Sequence, residues 1–251
     1  MVIQLKTIDK QAVSDKINKK SDDLEYELGS ALSYNSFDAL VSPKYPIAFI
    51  GLNPGGKKHD KPTIESENGK CAYYYENWTA KDENKKTPPD DKDLAPLQQQ
   101  VIKLYKRLAD IFGCEYTELM DKSIMANLVP FRSPSWNSLP KREDALEFSC
   151  GLWASIFDPS SVKVIICMSG ISFQAIGDIL REASYEHRPE ESFVGGTGWG
   201  KTKYHIKKYS LSEKSILLIR LPHLSRYKLL NSDGCNMAVE KIIQTIKEHI
   251  G

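Results

Sequence analysis

Residues 46–56 read PIAFIGLNPGG, an apolar run that leads directly into a turn of Asn, Pro and Gly. Three further apolar runs follow along the chain, at 123–129 (SIMANLV), 162–168 (VKVIICM) and 215–221 (SILLIRL). Each run is continuous rather than alternating, which is the pattern of strands buried on both faces of a parallel sheet. We therefore predict four strands in one central, mostly parallel sheet.

Segments with helical apolar spacing separate these runs and follow the last one. They cover 97–112, 142–157, 172–183 and 235–250. Strands that alternate with helices form right-handed crossovers, which place helices on both faces of the sheet. The predicted fold class is α/β, a three-layer αβα arrangement around a four-stranded sheet.

Three other regions complete the predicted organisation. Residues 10–32 have the pattern of an N-terminal helical region, and 57–93 is a charged, Asn- and Pro-containing stretch typical of a long surface insertion. Residues 193–211, with glycines at the turn, predict a β-hairpin. No linker divides the chain, so we expect one domain over 1–251.

Bulk properties limit the possible cofactors and compartments. The net charge is +1 and hydrophobic residues make up 41% of the chain, which is ordinary globular composition. The five cysteines are scattered without a CxxC pair, which predicts reduced thiols in a cytoplasm and no zinc or iron–sulfur site. No apolar run approaches a membrane span. We expect a cytoplasmic monomer without metal, organic cofactor or membrane contact.

Polar segments follow three of the four predicted strands. They are 51–56 (GLNPGG), Asn127 with 130–134 (PFRSP), and 222–227 (PHLSRY). Ligands of open α/β sheets bind at the carboxyl ends of the strands. We therefore expect the three segments to converge on one cleft.

The three segments resemble motifs of the uracil-DNA glycosylase superfamily, in particular the branch whose first motif reads Gly-x-Asn-Pro-Gly. They are similar to those of single-strand-selective monofunctional uracil glycosylases and of phage-defence glycosylases. The resemblance covers about residues 46–229. It implies that Asn53 holds the water that attacks the sugar C1′, that Asn127 hydrogen-bonds the pyrimidine edge and that His223 stabilises the departing base. The family's final motif, His-Pro-Ser-Pro, has lost both prolines here, since the chain reads HLSR at 223–226.

The resemblance also implies a base pocket and a DNA-contacting surface. The pocket would involve Gly51, Leu52, Pro54, Gly55, Tyr74, Tyr75, Asn127 and Phe131. The DNA contacts would come from Arg132, Lys201, Ser225, Arg226, Tyr227 and Lys228. In the uracil-specific branch a tyrosine at the position of Gly55 blocks the 5-position of the base. Glycine leaves this wall open, which predicts that 5-substituted pyrimidines are admitted.

The expected chemistry is cleavage of an N-glycosidic bond in a flipped-out nucleotide. This reaction produces a cation-like sugar and an anionic base, so it needs a positioned water, a donor to the anion and a dry pocket. Asn53 can orient a water but is not a base. With no obvious lyase lysine, we expect a monofunctional DNA glycosylase that leaves an abasic site. Its role would be base excision in DNA repair or excision of bulky modified cytosines from phage DNA.

Two alternatives remain open at the level of sequence. The segment 195–202, GGTGWGKT, matches the phosphate-loop pattern, but that motif must leave a buried strand and open a helix, and neither flank has the required pattern. A glycine hairpin explains it better than a nucleotide hydrolase. The other alternative is a DNA-binding protein of the same fold without catalysis. Residues 199–229 contain eight basic residues against one acid, which indicates either a phosphate-contacting face or a solvated hairpin edge.

Overall fold

The structure is a computed structural model, and it describes residues 8–55, 63–79 and 88–251. The helices in these ranges are α1 (Lys10–Asp23), α2 (Phe37–Val41), α3 (Ala72–Tyr75), α4 (Pro96–Phe112), α5 (Tyr116–Lys122), α6 (Arg142–Ile156), α7 (Gly170–Glu182), α8 (Leu224–Tyr227) and α9 (Asn236–Ile250). The strands are β1 (Ile47–Gly51), β2 (Ile124–Asn127), β3 (Val164–Cys167), β4 (Glu186–Gly196), β5 (Lys203–Leu211) and β6 (Lys214–Arg220). Short 3-10 turns occupy Glu67–Gly69, Asp91–Asp93, Trp136–Ser138, Pro159–Ser161, Leu229–Asn231 and Asp233–Cys235.

The six strands form one mixed sheet in the order β2-β1-β3-β6-β5-β4. Strand β1 is parallel to β2 and β3, and β3 is parallel to β6. Strand β5 runs antiparallel to both β6 and β4. The α/β class and the four predicted parallel strands are confirmed.

The predicted strand count of four is wrong because the hairpin extends the sheet. Strand β5 pairs along the whole length of β6, and β4 then pairs with β5 at the outer edge. The sequence predicted the hairpin at 193–211 but not its beginning at Glu186. The missed part of β4 is charged and exposed, and its register shifts between His187 and Ser192, so it lacks the apolar pattern of a buried strand.

Helices pack on both faces of the sheet and create two cores. In β1, Ala48 and Ile50 face the core formed with α1, α6 and α7, whereas Ile47 and Phe49 face the core formed with α4, α5 and α9. Every residue of β1 is buried. This two-sided burial explains why the strand sequences are continuously apolar. No helix within the described ranges is long and apolar enough to cross a membrane.

The predicted N-terminal helix over 10–32 is wrong beyond Asp23. Glu25 and Gly29 adopt positive φ angles of 60° and 77°, which end the helical path. Residues 30–34 then run extended beside β2, where Tyr34 N donates to Met125 O at 2.6 Å and Asn127 N donates to Leu32 O at 2.8 Å. This segment covers the free edge of β2.

The predicted surface insertion at 57–93 is only partly superficial. Residues 57–62 and 80–87 of this prediction lie outside the described residues. Between them, Ile64, Cys71 and Tyr73 are buried, and Cys71 and Tyr73 are 0% exposed. The middle of the predicted insertion therefore belongs to the core, and it brings aromatic side chains toward β1.

Candidate functional site

The three polar segments meet at the carboxyl edge of the sheet, as predicted. The parallel direction of β1, β2 and β6 places the residues after Gly51, Asn127 and Arg220 on this one edge. Strand β3 lies between β1 and β6, so the strands that lead to Asn53 and His223 are on the order of 10 Å apart. A ligand lying over the end of β3 would be flanked by both residues.

The amide of Asn53 is held in one orientation by its neighbours. Its Nδ2 donates to Ser133 Oγ at 2.9 Å and lies 3.3 Å from the carbonyl oxygen of Pro54. Ser133 Oγ in turn donates to Ser135 O at 2.7 Å. Because the carbonyl can only accept, nitrogen must be the atom that faces it, and Oδ1 points away. Within the described residues Oδ1 accepts no hydrogen bond, so it is free to accept one from a water molecule.

The turn that follows Asn53 is pinned to the segment after β2. Ser133 N donates to Pro54 O at 3.1 Å, and Arg132 Nη1 donates to Gly55 O at 3.0 Å. Pro54 is buried and Leu52 is half-buried, whereas Gly55 is exposed with open space where a Cβ would stand. Among the described residues nothing lies within 4 Å of a Cβ placed at Gly55, so this position of the turn has room for a side chain.

Asn127 is a fully buried residue whose amide is already satisfied inside the protein. Its Oδ1 accepts from the Tyr34 hydroxyl at 2.7 Å, and its Nδ2 donates to Ala31 O at 3.1 Å. A Cβ at Gly51 would lie 2.8 Å from the same Oδ1, so glycine is required beside it. Asn127 therefore joins the end of β2 to the segment at 30–34. Because the side chain is 0% exposed, a base could reach this amide only after neighbouring groups move.

Arg132 is a partly desolvated cation at this edge. Burial lowers the pKa of its guanidinium, which Tyr34 and Glu76 partly offset by raising it. Its Nε is buried without a hydrogen-bond partner, and no carboxylate in the described part of the chain forms an ion pair with it. A guanidinium that forms no ion pair with the described residues, next to this turn, is suited to an anionic or carbonyl-bearing ligand.

His223 lies after β6 and precedes helix α8. The residue is exposed to solvent, yet the surrounding protein desolvates the imidazole enough to lower its pKa below the ordinary value. His223 Nδ1 lies 2.9 Å from Ser225 Oγ. If the serine donates this hydrogen bond, the ring proton stands on Nε2, where it can be donated outward. A neutral imidazole that donates through Nε2 suits the predicted role in stabilising an anion.

The aromatic side chains nearest to β1 are not the predicted ones. Tyr34 packs against Tyr73 with ring centroids 4.6 Å apart, and Tyr73 packs against Trp78 at 4.9 Å. The Tyr74 hydroxyl instead donates to the carboxylate of Asp121, which precedes β2 and so lies toward its amino end. The structure therefore does not bring Tyr74 to the carboxyl edge.

Two other predicted pocket residues also point elsewhere. The ring of Tyr75 packs edge-on against that of Tyr74, with the two ring centroids 6.4 Å apart. Phe131 is 0% exposed and packs between two rings. Its centroid lies 4.8 Å from that of Tyr26 and 5.8 Å from that of Phe148. Phe131 is a core residue, and only its carbonyl oxygen faces the site, 3.5 Å from Asn53 Nδ2.

The predicted DNA-contacting residues beyond His223 are Ser225, Arg226 and Tyr227 of α8 and Lys228, which follows this helix. Arg226 and Lys228 are exposed, and the Arg226 guanidinium lies 5.5 Å from the centroid of the Tyr227 ring. Leu224, in contrast, is buried in the core. Lys201 is exposed in the turn between β4 and β5.

The glycine-rich segment 195–202 is a hairpin turn. It connects β4 to β5 and no helix follows it, so it lacks the geometry of a phosphate loop. Two of its four glycines allow close packing. A Cβ at Gly195 would lie 2.5 Å from the Tyr204 ring, and one at Gly198 would lie 1.8 Å from Gly234 O.

No protein-family model, no curated protein and no solved structure matches the chain.

Sequence reasoning missed Tyr34 and Ser133. Tyr34 follows the predicted helical region 10–32 and precedes the first predicted strand, where no structure was predicted. Ser133 stood in the quoted PFRSP segment, but nothing in its sequence marks it as the anchor of Asn53.

Two surface depressions, of about 430 and 460 Å³, are lined by residues 137–144 and by residues near 9–14 and 63–65. Neither borders Asn53 or His223. Among the described residues no cluster of His, Cys, Asp or Glu could hold a metal ion.

Proposed function

We propose that the protein is a monofunctional DNA glycosylase of the uracil-DNA glycosylase type, which hydrolyses the N-glycosidic bond of a flipped-out pyrimidine. The observation that carries this proposal is the fixed amide of Asn53, whose Nδ2 is held by Ser133 and whose Oδ1 is free at the carboxyl edge of a parallel sheet. The parallel strand order β2-β1-β3-β6 with its flanking helices supports the same proposal.

In the proposed reaction, Asn53 Oδ1 accepts a hydrogen bond from a water molecule and directs it at the sugar C1′. The bond between C1′ and the base nitrogen breaks, and the electron pair leaves with the base. His223 donates from Nε2 to the departing anion. Because the sugar becomes cation-like before water adds, an amide that orients the water without deprotonating it is sufficient. The water's proton passes to solvent as the abasic sugar forms.

Base recognition would use the open turn and the cation beside it. Gly55 leaves room for a substituent on the 5-position of the base, and Arg132 offers donors to carbonyl oxygens. Asn127 would support the pocket by fixing Tyr34, or would read the base after Tyr34 moves. We therefore propose uracil or a 5-modified pyrimidine as substrate, in DNA repair or in defence against modified phage DNA. The five free thiols fit a reducing cytoplasm.

The test is base release from oligonucleotides that carry uracil, hydroxymethyluracil or glucosylated hydroxymethylcytosine, in single and double strands, scored as alkali-labile breaks. We expect Asn53→Ala and His223→Ala to abolish release from the substrate that the unmodified protein cuts. Asn137→Ala, which changes an exposed residue in a 3-10 turn, is the matched control and should keep full activity. Equal activity of Asn53→Ala and the control would refute the proposal.

One observation favours a second candidate, a DNA-binding protein that does not cut. The two surface depressions described above lie away from Asn53, and Asn127 Oδ1 already accepts a hydrogen bond from Tyr34. Such a protein would bind the same oligonucleotides and leave every base attached. Tight binding with no breaks across the panel would support this candidate.

A further inference from the structure

One face of the hairpin carries basic residues that form no ion pair with any other described residue. Successive residues of a strand point to opposite faces, so Lys203, His205 and Lys207 share one face of β5. Arg220 of β6 is the register partner of His205, and its Nη1 lies 3.5 Å from His205 Nε2. These four residues are called the cationic strip.

The surroundings of the cationic strip are positive as well. Burial lowers the pKa of His205, and the charged groups that lower it further are Arg220, Lys203 and Lys207. The Arg220 guanidinium carbon lies 3.7 Å from the Cβ position of Gly170, the first residue of α7, where the helix dipole is positive. Within the described ranges none of these cations forms an ion pair. The lowered pKa favours neutral His205, so the positive charges of the strip are those of Lys203, Lys207 and Arg220.

The opposite face of the same strand is different. Lys208 lies 3.8 Å from Glu191 of β4, so its charge has an acidic partner. Among the described residues, the lack of an ion pair therefore distinguishes one face of β5 from the other. This contrast also provides a matched control residue, because Lys208 belongs to the same strand and has the same charge.

The position and length of the cationic strip favour a polymeric anion. Lys203 follows the turn that projects beyond the carboxyl edge, and that turn is fixed where Gly198 packs on Gly234. From Lys203 to Lys207 the strand extends about 14 Å, which exceeds the reach of a single phosphate. Trp199, 41% exposed in the turn, adds an aromatic surface on which a base can stack.

We infer that the cationic strip binds the sugar-phosphate backbone of a nucleic-acid strand and continues the proposed DNA-contacting surface from His223 along the hairpin. This inference deepens the proposed function, since it names residues that would hold the DNA beside the site. It does not depend on catalysis. Nucleic-acid binding by the strip can be measured in a protein that cuts nothing.

The experiment measures binding of a fluorescein-labelled DNA strand, alone and in duplex, by anisotropy over a range of salt concentrations. The variants are K203Q/K207Q, K203Q/K207Q/R220Q and the control K208Q, each in the N53A background so that no base is released. Each phosphate contact contributes about 0.7 to the slope of log K against log salt for a single strand and about 0.9 for a duplex. We expect the slope to fall by about 1.4 in the double variant and about 2.1 in the triple variant on a single strand.

The control decides the interpretation. K208Q should keep the slope and affinity of the N53A protein. The thermal midpoint of K203Q/K207Q is measured alongside, because Lys207 is half-buried and its Nζ lies 5.3 Å from the centroid of the Phe173 ring. Equal losses in K208Q and K203Q/K207Q would overturn the inference, because they would show only an effect of net charge. Unchanged slopes in all variants would overturn it too.

The two proposals fail in different ways. If the unmodified protein releases bases while the strip variants bind DNA normally, the strip inference is wrong and the glycosylase proposal stands. If no base is released but the strip variants lose affinity and slope, the glycosylase proposal fails and the strip remains a nucleic-acid surface.

Discussion

Replacing Tyr34 with phenylalanine tests how the structure holds the site together. The hydroxyl of Tyr34 donates to Asn127 Oδ1 at 2.7 Å, and Asn127 is 0% exposed. The ring of phenylalanine keeps the contact with Tyr73, so the change removes only the hydrogen bond. It leaves a buried acceptor without a partner, which costs about 1–3 kcal/mol. For a chain of this size this lowers the thermal midpoint by about 2–12 °C.

Tyr26→Phe is the matched control for this measurement. The Tyr26 hydroxyl donates to Pro140 O at 2.5 Å at an exposed position, so water can replace it after the change. We expect the control to cost about 0.5 kcal/mol or less. Urea unfolding followed by circular dichroism gives both values, provided that the slope with denaturant is unchanged.

A double-mutant cycle makes the result more specific. If the two side chains act as one unit, Tyr34→Phe and Asn127→Ala together should cost less than the sum of the single changes, by about 0.5–3 kcal/mol. Additive losses, or a Tyr34→Phe variant as stable as Tyr26→Phe, would refute the assignment of Asn127 as a residue satisfied by Tyr34. Asn127 would then be free to contact a ligand directly.

Three further predictions concern the turn, the histidines and the anchor of Asn53. Gly198→Ala should cost about 1–3 kcal/mol, because φ is +84° and Gly234 O leaves no room, whereas Gly196→Ala with open space should be neutral in urea unfolding. Burial is the largest cause that lowers the pKa of His205, His223 and His249 in the folded protein. As the pH falls, the unfolded chain therefore binds protons at these histidines before the folded protein does. The free energy of unfolding should fall as pH drops below 6.5. A rise in stability between pH 6.5 and 5 would contradict this sign. If the glycosylase proposal holds, Ser133→Ala should slow base release about tenfold, a barrier change of about 1.4 kcal/mol, without weakening oligonucleotide binding; an unchanged rate would show that Ser133 does not position Asn53.

The central strands could be predicted because their physics is local to the sequence. Strands buried on two faces need a continuous apolar run, and each of the four runs formed a parallel strand. The parallel direction then places Asn53 and His223 on one edge without further information. The hairpin turn could also be predicted, because a cluster of glycines is followed by residues that alternate in the pattern of a strand.

The remaining structure depends on tertiary contacts that leave no periodic pattern. Residues 30–34 are extended because the backbone of β2 offers them hydrogen bonds, and nothing in their own sequence favours that state. The start of β4 is charged because only one of its edges is paired. The directions of Phe131 and Tyr74 were missed because the strand pattern ends before Phe131, and Asp121, the partner of Tyr74, is 47 residues away.

The two edges of the sheet are protected in different ways from pairing with a strand of another molecule. The edge of β2 is capped by the chain's own residues 30–34, so its backbone donors and acceptors are already used. No described segment caps the edge of β4. This edge carries Pro189, a register shift and exposed charges at Glu186, Arg188 and Glu190, all of which obstruct the addition of another strand. A protein shortened to begin after Tyr34 would lose the first protection and keep the second. Its aggregates should therefore grow from the apolar β2 edge and leave the hairpin exposed to solvent.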